Sequence, residues 1–241
     1  MEDPSDVFHA NAMKRRPLPA VEAQEETLLA QAWASLDWTD TQGLFLRLLR
    51  GLEAGDLAGP QTLALGCGTG DSFIPFLKAW PQAHCDVRDV SAARLAVAGT
   101  ALEPLPGLAR RCRLIQDGLP WAPGEPAAYD LILSDGLLHR LAEPQTLWSA
   151  IRRAGRPGAR VLVMDLARPP SPGWAESLVV SYLAEAPLNL RNAFRSALFA
   201  AYAPAEVQAQ LVKAGLDILE VAVVSDRHLA VLGRLPAATA S

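Results

Sequence analysis

Hydrophobic residues in the first fifth of the chain recur every three or four positions, which is the spacing of one face of an α-helix. The pattern predicts a helix from about residue 21 to 38 and a second one from about 41 to 52. Residues 1–20 show no such period and contain three prolines, so we expect a loose arm there.

From residue 61 onward, short apolar runs alternate with helical patterns, which is typical of a mostly parallel sheet covered by helices on both faces. Strands are predicted at residues 61–66, 83–89, 112–117, 129–134, 160–166, 217–224 and 228–234. Helices are predicted at residues 71–80, 91–103, 144–155, 174–185, 189–200 and 205–214. The segment 168–203 interrupts the alternation with a proline-rich connector and two helices, and it is expected to form a lid.

The first predicted strand runs directly into a loop that contains Gly66, Gly68 and Gly70. Glycine permits positive φ and brings backbone amides close to a ligand, so a strand, this loop and a helix together predict a ligand cradle. A dinucleotide fingerprint would need its third glycine at position 71, which is Asp71. The loop therefore argues against NAD binding, and a plain tight turn is the alternative to a ligand site.

Polar residues stand at the carboxyl ends of the other predicted strands, where ligands bind in open α/β sheets. Asp89 ends the second strand, Asp117 the third, Ser134 the fourth and Asp165 the fifth. Asp89 lies 19 residues beyond Gly70, close to the spacing at which an acid meets a ribose. A carboxylate accepts two hydrogen bonds at once, which suits a ribose diol. Together these residues predict a nucleoside site, although a turn or a helix cap would explain each of them alone.

Five motifs, in this order, resemble those of the class I S-adenosylmethionine (SAM)-dependent methyltransferases of the small-molecule type. They are TLALGCGTGD at 62–71, Asp89-Val90-Ser91, QDGLPW at 116–121, YDLILS at 129–134 continuing to Leu138-His139, and RPGAR at 156–160. The resemblance implies a Rossmann-like, seven-stranded, mostly parallel sheet with an antiparallel last strand and helices on both faces. It also implies an enzyme that transfers the methyl group of SAM to a small-molecule acceptor by in-line displacement, leaves S-adenosylhomocysteine, and needs no metal.

Carried over to the matching positions, the resemblance assigns cofactor binding to the glycine loop and to the next three strand ends. The residues are Gly66, Cys67, Gly68, Gly70, Asp89, Val90, Asp117, Gly118 and Ser134. It divides the chain into an N-terminal arm with helices at 1–58, acting as a cap, and a SAM-binding domain at 59–241 with the insertion at 168–203. The N-terminal helices are expected either to cover the pocket or to form a homodimer contact.

The candidates for catalysis are residues that this fold brings to the ligand side of the sheet. His139 follows the fourth strand, and its ring titrates in the range that suits proton transfer. Asp226 and His228 belong to the turn into the antiparallel last strand, which places them at the rim of the pocket. A packing histidine and an ordinary hairpin turn are the alternatives.

Three further residues are candidates for substrate binding. Arg227 lies in the same turn, while Tyr182 and Arg191 lie in the predicted lid. A solvated helical face is the alternative for the arginine of the lid.

One position departs from the resemblance and keeps a second function open. Methyltransferases of this class usually have an acid two residues before the first glycine, where this chain has Ala64. A methyltransferase-like protein that binds a nucleoside or a partner without turnover is therefore the alternative. Methylation of RNA or protein, and other SAM chemistry such as aminopropyl transfer, are further alternatives because the fold does not dictate the reaction.

Composition narrows the partners and the setting. The net charge of −4 gives no basic surface for nucleic acid, and no apolar run reaches the length of a membrane helix. The three cysteines follow neither a disulfide nor a zinc pattern, which favours a reducing, cytoplasmic setting. The expected partner is a small-molecule substrate.

Overall fold

A seven-stranded mixed sheet forms the centre of the protein. The computed structural model describes residues 13–19, 22–53, 56–66, 68–120 and 128–237, so Cys67 lies outside the described residues. The strands are β1 Gln61–Leu65, β2 His84–Asp89, β3 Cys112–Gln116, β4 Tyr129–Asp135, β5 Gly155–Leu166, β6 Glu220–Val223 and β7 His228–Arg234. Their order is β3-β2-β1-β4-β5-β7-β6, and β7 runs opposite to the other six strands. The predicted fold class is confirmed.

Helices cover the sheet and its ligand-binding edge. They are α1 Ala23–Ala34, α2 Thr39–Gly51, α3 Phe73–Ala79, α4 Ala92–Leu102, α5 Pro106–Ala109, α6 Gln145–Ala154, α7 Pro172–Leu183, α8 Leu188–Ala200 and α9 Pro204–Ala214, with a 3-10 turn at Leu138–Arg140. None of the helices in the described ranges is long and apolar enough to cross a bilayer.

Each face of the sheet has its own hydrophobic core. Helices α2, α3 and α4 pack on one face around Leu131 and Leu133, while α6 and α9 pack on the other face around Ile132. This alternation along β4 is the two-residue period of a strand that is buried on both sides. Because apolar side chains fill both faces of the sheet, the polar residues of the site lie at the ends of the strands.

A third cluster covers the carboxyl ends of the strands and joins segments that are far apart in sequence. Helices α7 and α8 of the insertion pack against Met13 and against Leu29 and Trp33 of α1. Helix α2, although it belongs to the N-terminal segment 1–58, packs with the sheet instead. The N-terminal segment therefore contributes to two layers.

The expectation of a loose arm is wrong for its described part, residues 13–19. This segment has no regular structure, but the guanidinium of Arg15 donates to the carbonyl oxygens of Ala200, His139 and Leu141 at 2.8, 3.3 and 3.0 Å. It also stacks over the ring of Tyr202, 4.1 Å from its centroid. One side chain thus joins the arm, the end of α8 and the turn after β4.

Several element boundaries differ from the prediction for local reasons. The first helix ends at Ala34 rather than near residue 38, because the Ser35 hydroxyl donates to Ala32 O at 2.7 Å and the Trp38 indole donates to Trp33 O at 2.9 Å. Strand β5 begins at residue 155, where a second short pairing with Tyr129 precedes a register shift. The sequence pattern also gave no signal for α5.

Candidate functional site

A cavity of about 470 Å³ opens between the carboxyl edge of the sheet and the covering helices α1 and α8. It lies at the point where the strand order reverses between β1 and β4, which is where α/β sheets bind ligands. The wall includes Gly66 and Gly68 after β1, Asp135 and His139 after β4, and His228 at the start of β7.

Backbone geometry explains the glycines of the loop after β1. Gly66, Gly68 and Gly70 have φ values of +64°, +31° and +105°, which only glycine adopts readily. A Cβ on Gly66 would lie 2.7 Å from the Cβ of Leu137, and one on Gly70 would lie 2.6 Å from the Cδ1 of Ile74. A Cβ on Gly68 would lie 3.1 Å from Cδ of Arg94 and 3.5 Å from Oδ2 of Asp89. The loop therefore passes close to that carboxylate.

The two predicted nucleoside acids lie on neighbouring strands, at the far side of the glycine loop. Asp89 is buried, its Oδ1 accepts from Ser91 N at 2.9 Å, and its backbone oxygen accepts from Asp117 N at 3.1 Å. The Asp117 carboxylate pairs with Arg88 at 2.7 Å and accepts from Gly118 N at 2.8 Å. The fold brings these acids together, but neither is part of the cavity wall.

Val90 and Gly118 lie beside these acids, whereas Ser134 does not reach the surface. Val90 is 71% exposed although it is apolar, and a Cβ on Gly118 would lie 3.5 Å from its Cγ2. Ser134 is fully buried beneath the loop, and its hydroxyl has no hydrogen-bond partner among the described residues. Neither Ser134 nor Gly70 is part of the cavity wall.

His139 forms a buried pair with Asp165 at the cavity wall. Its Nδ1 lies 2.7 Å from Oδ1 of Asp165, while the two carboxylate oxygens also accept from Leu138 N at 2.6 Å and Leu166 N at 2.8 Å. A carboxylate can only accept here, so Nδ1 carries the ring proton and Nε2 keeps a free lone pair. Nε2 has no hydrogen-bond partner among the described residues. Burial lowers the pKa of His139 below its usual value, although Asp165 opposes the shift, so the ring is neutral at pH 7.

Three carboxylates, Asp71, Asp135 and Asp165, converge beside the glycine loop. Burial, followed by the charges of Asp71 and Asp165, raises the pKa of Asp135 to about 8. Burial also raises the pKa of Asp71, although its hydrogen bond from the Thr69 hydroxyl and the charge of Arg94 oppose this shift. Although Arg94 is near enough to oppose the shift of Asp71, the pKa values of both acids are raised, and a further cation bound beside them would favour their ionised forms.

The turn before β7 is tied to the lid. The Tyr182 hydroxyl donates to Asp226 at 2.6 Å, and the guanidinium of Arg227 stacks 3.5 Å above the Tyr182 ring. Arg227 also donates to Asp226 at 3.1 Å and to the Thr41 hydroxyl at 3.2 Å. Arg227 and His228 line the cavity, whereas Asp226, Tyr182 and Arg191 do not. Asp226 and Tyr182 thus fix the side chain of Arg227 by contacts outside the cavity.

The wall opposite the sheet is mainly apolar. Trp33 stacks against Trp38 at a centroid distance of 4.9 Å and lies 6.2 Å from Phe194. The other apolar side chains of this wall are Leu18, Leu29, Ala30, Phe45, Leu190, Ala193 and Ala197. This wall also contains polar residues of the same helices, among them Glu26, Gln42 and Asn192, so an aromatic patch with polar neighbours faces the acidic groups at the strand ends.

The donor set at the strand ends fits SAM. The glycine loop and the Asp89 carboxylate close to it suit a nucleoside, and the acidic side chains suit the sulfonium and ammonium charges. Ala64, the position that departs from the usual acid, is buried in the apolar core. The acidic groups near the loop are instead Asp71, Asp135 and Asp165, which line the cavity. No group of His, Cys, Asp and Glu suited to a metal ion occurs in the described part of the chain.

Sequence reasoning missed the roles of Asp71, Asp135, Asp165 and Arg15. Asp165 was recognised as a strand end, but its pairing with His139 depends on the register of β4 against β5, where Asp135 lies opposite Met164. Asp135 directly follows the predicted Ser134, so the polar end of β4 was the available signal. No signal in the sequence singles out Arg15, because its partners are backbone carbonyls of distant segments.

The central part of the chain is similar to known proteins. Residues 63–161 match a family described as "Methyltransferase domain". The chain is 34% identical over 104 residues to trans-aconitate 2-methyltransferase of Azoarcus sp. (strain BH72). That match covers 43% of this chain and only 38% of the relative's length.

Solved structures share the fold over most of the chain. The plantazolicin methyltransferase BpumL, in complex with a triazolic desmethylPZN analog and SAH, matches with a TM-score of 0.64, 13% identity, and coverage of 88% of this chain and 96% of that one. Human N-acetylserotonin methyltransferase, in complex with SAM, matches with a TM-score of 0.61, 17% identity, and coverage of 89% and 57%. At these identities the likeness shows the fold alone.

Proposed function

We propose that the chain is a SAM-dependent methyltransferase that methylates a hydroxyl group of a small molecule. The match of residues 63–161 to a methyltransferase domain and the fold shared with solved methyltransferases support this proposal. The observation that carries this proposal is the buried His139–Asp165 pair beside the cavity, in which Nδ1 is engaged by Asp165 and the buried Nε2 has no hydrogen-bond partner among the described residues. A hydroxyl is a weak nucleophile that must lose its proton during transfer, so a base of this kind is useful to it.

The proposed cofactor site extends from the glycine loop to the ends of β2 and β3. Amides at Gly66 and Gly68 approach the ligand, the Asp89 carboxylate accepts from the ribose hydroxyls, and Val90, Asp117 and Gly118 complete the nucleoside end. Ser134, which is fully buried and pairs with Leu65 at the end of β1, supports the loop from below, and Gly70 provides the turn into α3. Cys67 stands between these glycines in the sequence and is proposed to belong to the same cofactor site. When bound, SAM supplies an activated methyl group, which the acceptor takes by in-line displacement to leave S-adenosylhomocysteine.

The residues of the chain then have separate tasks. Nε2 of His139 takes the proton that the acceptor hydroxyl loses, while Asp165 holds the ring by Nδ1 and stabilises the imidazolium that forms. Arg227, held by Asp226 and stacked on Tyr182, is a substrate contact at the rim. Arg191 lies between the cavity residues Leu190 and Asn192 of α8, and we propose that it contributes to the same lid.

The cover formed by α1 and the insertion determines the shape of the substrate. Aromatic side chains at Trp33, Trp38 and Phe194 bury an apolar body, and a closed cover excludes water from the reacting groups. We therefore propose an amphipathic acceptor with an apolar or aromatic body and a hydroxyl directed to the sheet.

Three arginines in the cavity wall favour a second candidate, methylation of a carboxylate. Arg94, Arg140 and Arg227 line the cavity, and the relative from Azoarcus is named for trans-aconitate. However, Arg94 lies 4.0 Å from Glu26 and Arg227 pairs with Asp226, so part of their charge is already matched. A carboxylate acceptor also has no proton to lose at neutral pH and does not need His139.

The two candidates and the non-catalytic alternative are separated by one set of assays. Purified protein is incubated with SAM and a panel of phenols, alcohols and carboxylates that includes trans-aconitate, and the release of S-adenosylhomocysteine is measured. We expect turnover of a hydroxyl compound that falls about 10²–10⁴-fold in His139→Asn and is unchanged in the control His84→Asn, because His84 is exposed.

Each contrary result has a distinct meaning. Turnover of carboxylates alone, with His139→Asn fully active, would establish the second candidate. Micromolar binding of SAM without turnover of any compound would favour the non-catalytic protein. Absence of SAM binding in calorimetry, with the fold intact by circular dichroism, would refute the cofactor site.

A further inference from the structure

A second buried histidine, His228, borders the same cavity from the first residue of β7. In the sheet, its residue pairs with Leu166, which directly follows Asp165. His139 approaches from the turn after β4, on the other side of β5. The end of β5 thus stands between two histidines that line one cavity.

The hydrogen bonds of Ser225 determine where the His228 ring carries its proton. The Ser225 hydroxyl oxygen accepts from His228 N at 3.0 Å and from Arg227 N at 3.3 Å. The same oxygen lies 3.0 Å from Nδ1 of His228. With both lone pairs taken by backbone amides, the hydroxyl has only its proton left for the ring, so Nδ1 accepts. A neutral ring that accepts at Nδ1 carries its proton at Nε2.

The ring is neutral under ordinary conditions. Burial, reinforced by the charge of Arg227, lowers the pKa of His228 to about 4, although Asp165 and Asp226 oppose the shift. His228 therefore has the opposite tautomer to His139. One ring has its proton on Nδ1 and a lone pair on Nε2, whereas the other has its lone pair on Nδ1 and a proton on Nε2.

We infer that His228 is a hydrogen-bond donor for a second oxygen of the substrate, adjacent to the hydroxyl whose proton His139 takes. This inference deepens the proposed function and rests on it. It narrows the substrate class to compounds with two neighbouring oxygens, one in a hydroxyl group and the other able to accept a hydrogen bond. As the proton leaves, negative charge grows on the acceptor oxygen. The Nε2–H of His228, bound to the neighbouring oxygen, holds the acceptor in place and stabilises this charge through its nearby positive dipole.

The tautomers are tested on the protein without ligand. Two-dimensional ¹⁵N–¹H NMR of protein labelled at histidine reports which ring nitrogen carries the proton. We expect Nε2–H for His228 and Nδ1–H for His139, assigned from the spectra of His228→Gln and His139→Asn. In Ser225→Ala the His228 signal should shift toward a mixture of both tautomers. A wild-type His228 that is protonated on Nδ1 would overturn the inference.

Binding tests the substrate class with probes that differ in one oxygen. Dissociation constants of catechol, resorcinol and phenol are measured by calorimetry in the presence of S-adenosylhomocysteine. We expect catechol, whose oxygens are adjacent, to bind about 3–10-fold more tightly than the other two, as one added hydrogen bond predicts. His228→Met should remove this preference, and His228→Gln should restore it because its amide donates from nearly the same place.

The controls separate this inference from the proposed function. Equal affinities of wild type for the three probes, or an unchanged preference in His228→Met, would overturn the donor role. Preference for catechol without methylation of any hydroxyl compound would support the donor role and refute the proposed reaction. Circular dichroism of both His228 variants ensures that a lost preference is not lost folding.

Discussion

At the scale of single residues, the smallest change with a specific expected effect is at Asp165. Replacement by Asn keeps the size but turns one acceptor oxygen into a donor, so the ring of His139 loses the partner that fixes its proton on Nδ1. We expect Asp165→Asn to lower kcat by about 10²–10⁴-fold with little change in KM. The NMR signal of His139 should show the other tautomer.

The matched control for this change is Asp217→Asn, because Asp217 is exposed on the surface. It should leave kcat, KM and the histidine signals as in wild type. An unchanged kcat in folded Asp165→Asn, despite a changed tautomer, would contradict the role of the pair.

Asp135 gives a second prediction at this scale, concerning the preference for SAM over S-adenosylhomocysteine. SAM carries one more positive charge, and the carboxyl group of Asp135, with its pKa of about 8, is mostly protonated at pH 7. A nearby cation favours the ionised form, so binding of SAM should release a proton. We expect the affinity for SAM relative to the homocysteine to rise from pH 6 to about pH 8 and then to level off.

Calorimetry in two buffers of different ionisation enthalpy measures the released proton directly. Asp135→Asn should abolish both the release and the pH dependence of the ratio. A ratio that stays constant with pH in wild type would show that Asp135 does not sense the sulfonium.

At the scale of elements, the segment 13–19 forms specific hydrogen bonds although its sequence predicts a loose arm. Arg15 supplies hydrogen bonds to three carbonyl groups that belong to α8 and to the turn bearing His139. We expect Arg15→Ala to destabilise the protein by about 1–3 kcal/mol, which lowers Tm by roughly 2–10 °C for a chain of this size. Because the turn is loosened, KM should rise as well.

Lys14→Ala is the neighbouring control, since Lys14 is exposed. Its Tm, measured by differential scanning calorimetry, should match wild type. A normal Tm for Arg15→Ala would mean that the arm detaches in solution without cost.

The same scale shows which parts of the fold the sequence determines. Periodicity located all seven strands, and strand ends located Asp89, Asp117 and His139, because alternation and the edge rule are local properties. The pairing of His139 with Asp165 depends on how β4 lies against β5, and the contacts of Arg15 depend on tertiary packing. The end of the first helix at Ala34 depends on two side chains that bond to its last carbonyls. Such choices between competing local hydrogen bonds have no periodic signal.

At the scale of the whole molecule, the site places groups of opposite pH response in one cavity. Asp135 has a pKa of about 8 in the folded protein, well above the value of about 4 that it has in the unfolded chain. Between pH 4 and 8 the unfolded chain therefore loses this proton while the folded protein keeps it, so the free energy of unfolding falls as pH rises through this range. Asp71 has a shift of the same sign. His228, with its pKa of about 4, and His139 have lowered values, so stability rises with pH up to about 6.5.

These opposed responses predict the pH profile of stability. In wild type they partly cancel between pH 4 and 6.5, and above 6.5 the acids alone act, so Tm should decline toward pH 8. In Asp135→Asn the decline should be largely removed, and Tm should exceed wild type by roughly 5 °C at pH 8 but hardly at all at pH 4. His228→Gln should instead raise Tm relative to wild type below pH 6, where the buried ring must otherwise stay unprotonated. Differential scanning calorimetry of the three proteins across this range measures all of these differences, and parallel Tm curves would contradict the assignment.

The carboxyl group of Asp135 destabilises the free protein at pH 8, and it is also the group expected to meet the cofactor's positive charge. Binding of SAM at pH 8 should therefore raise the Tm of wild type and raise that of Asp135→Asn much less.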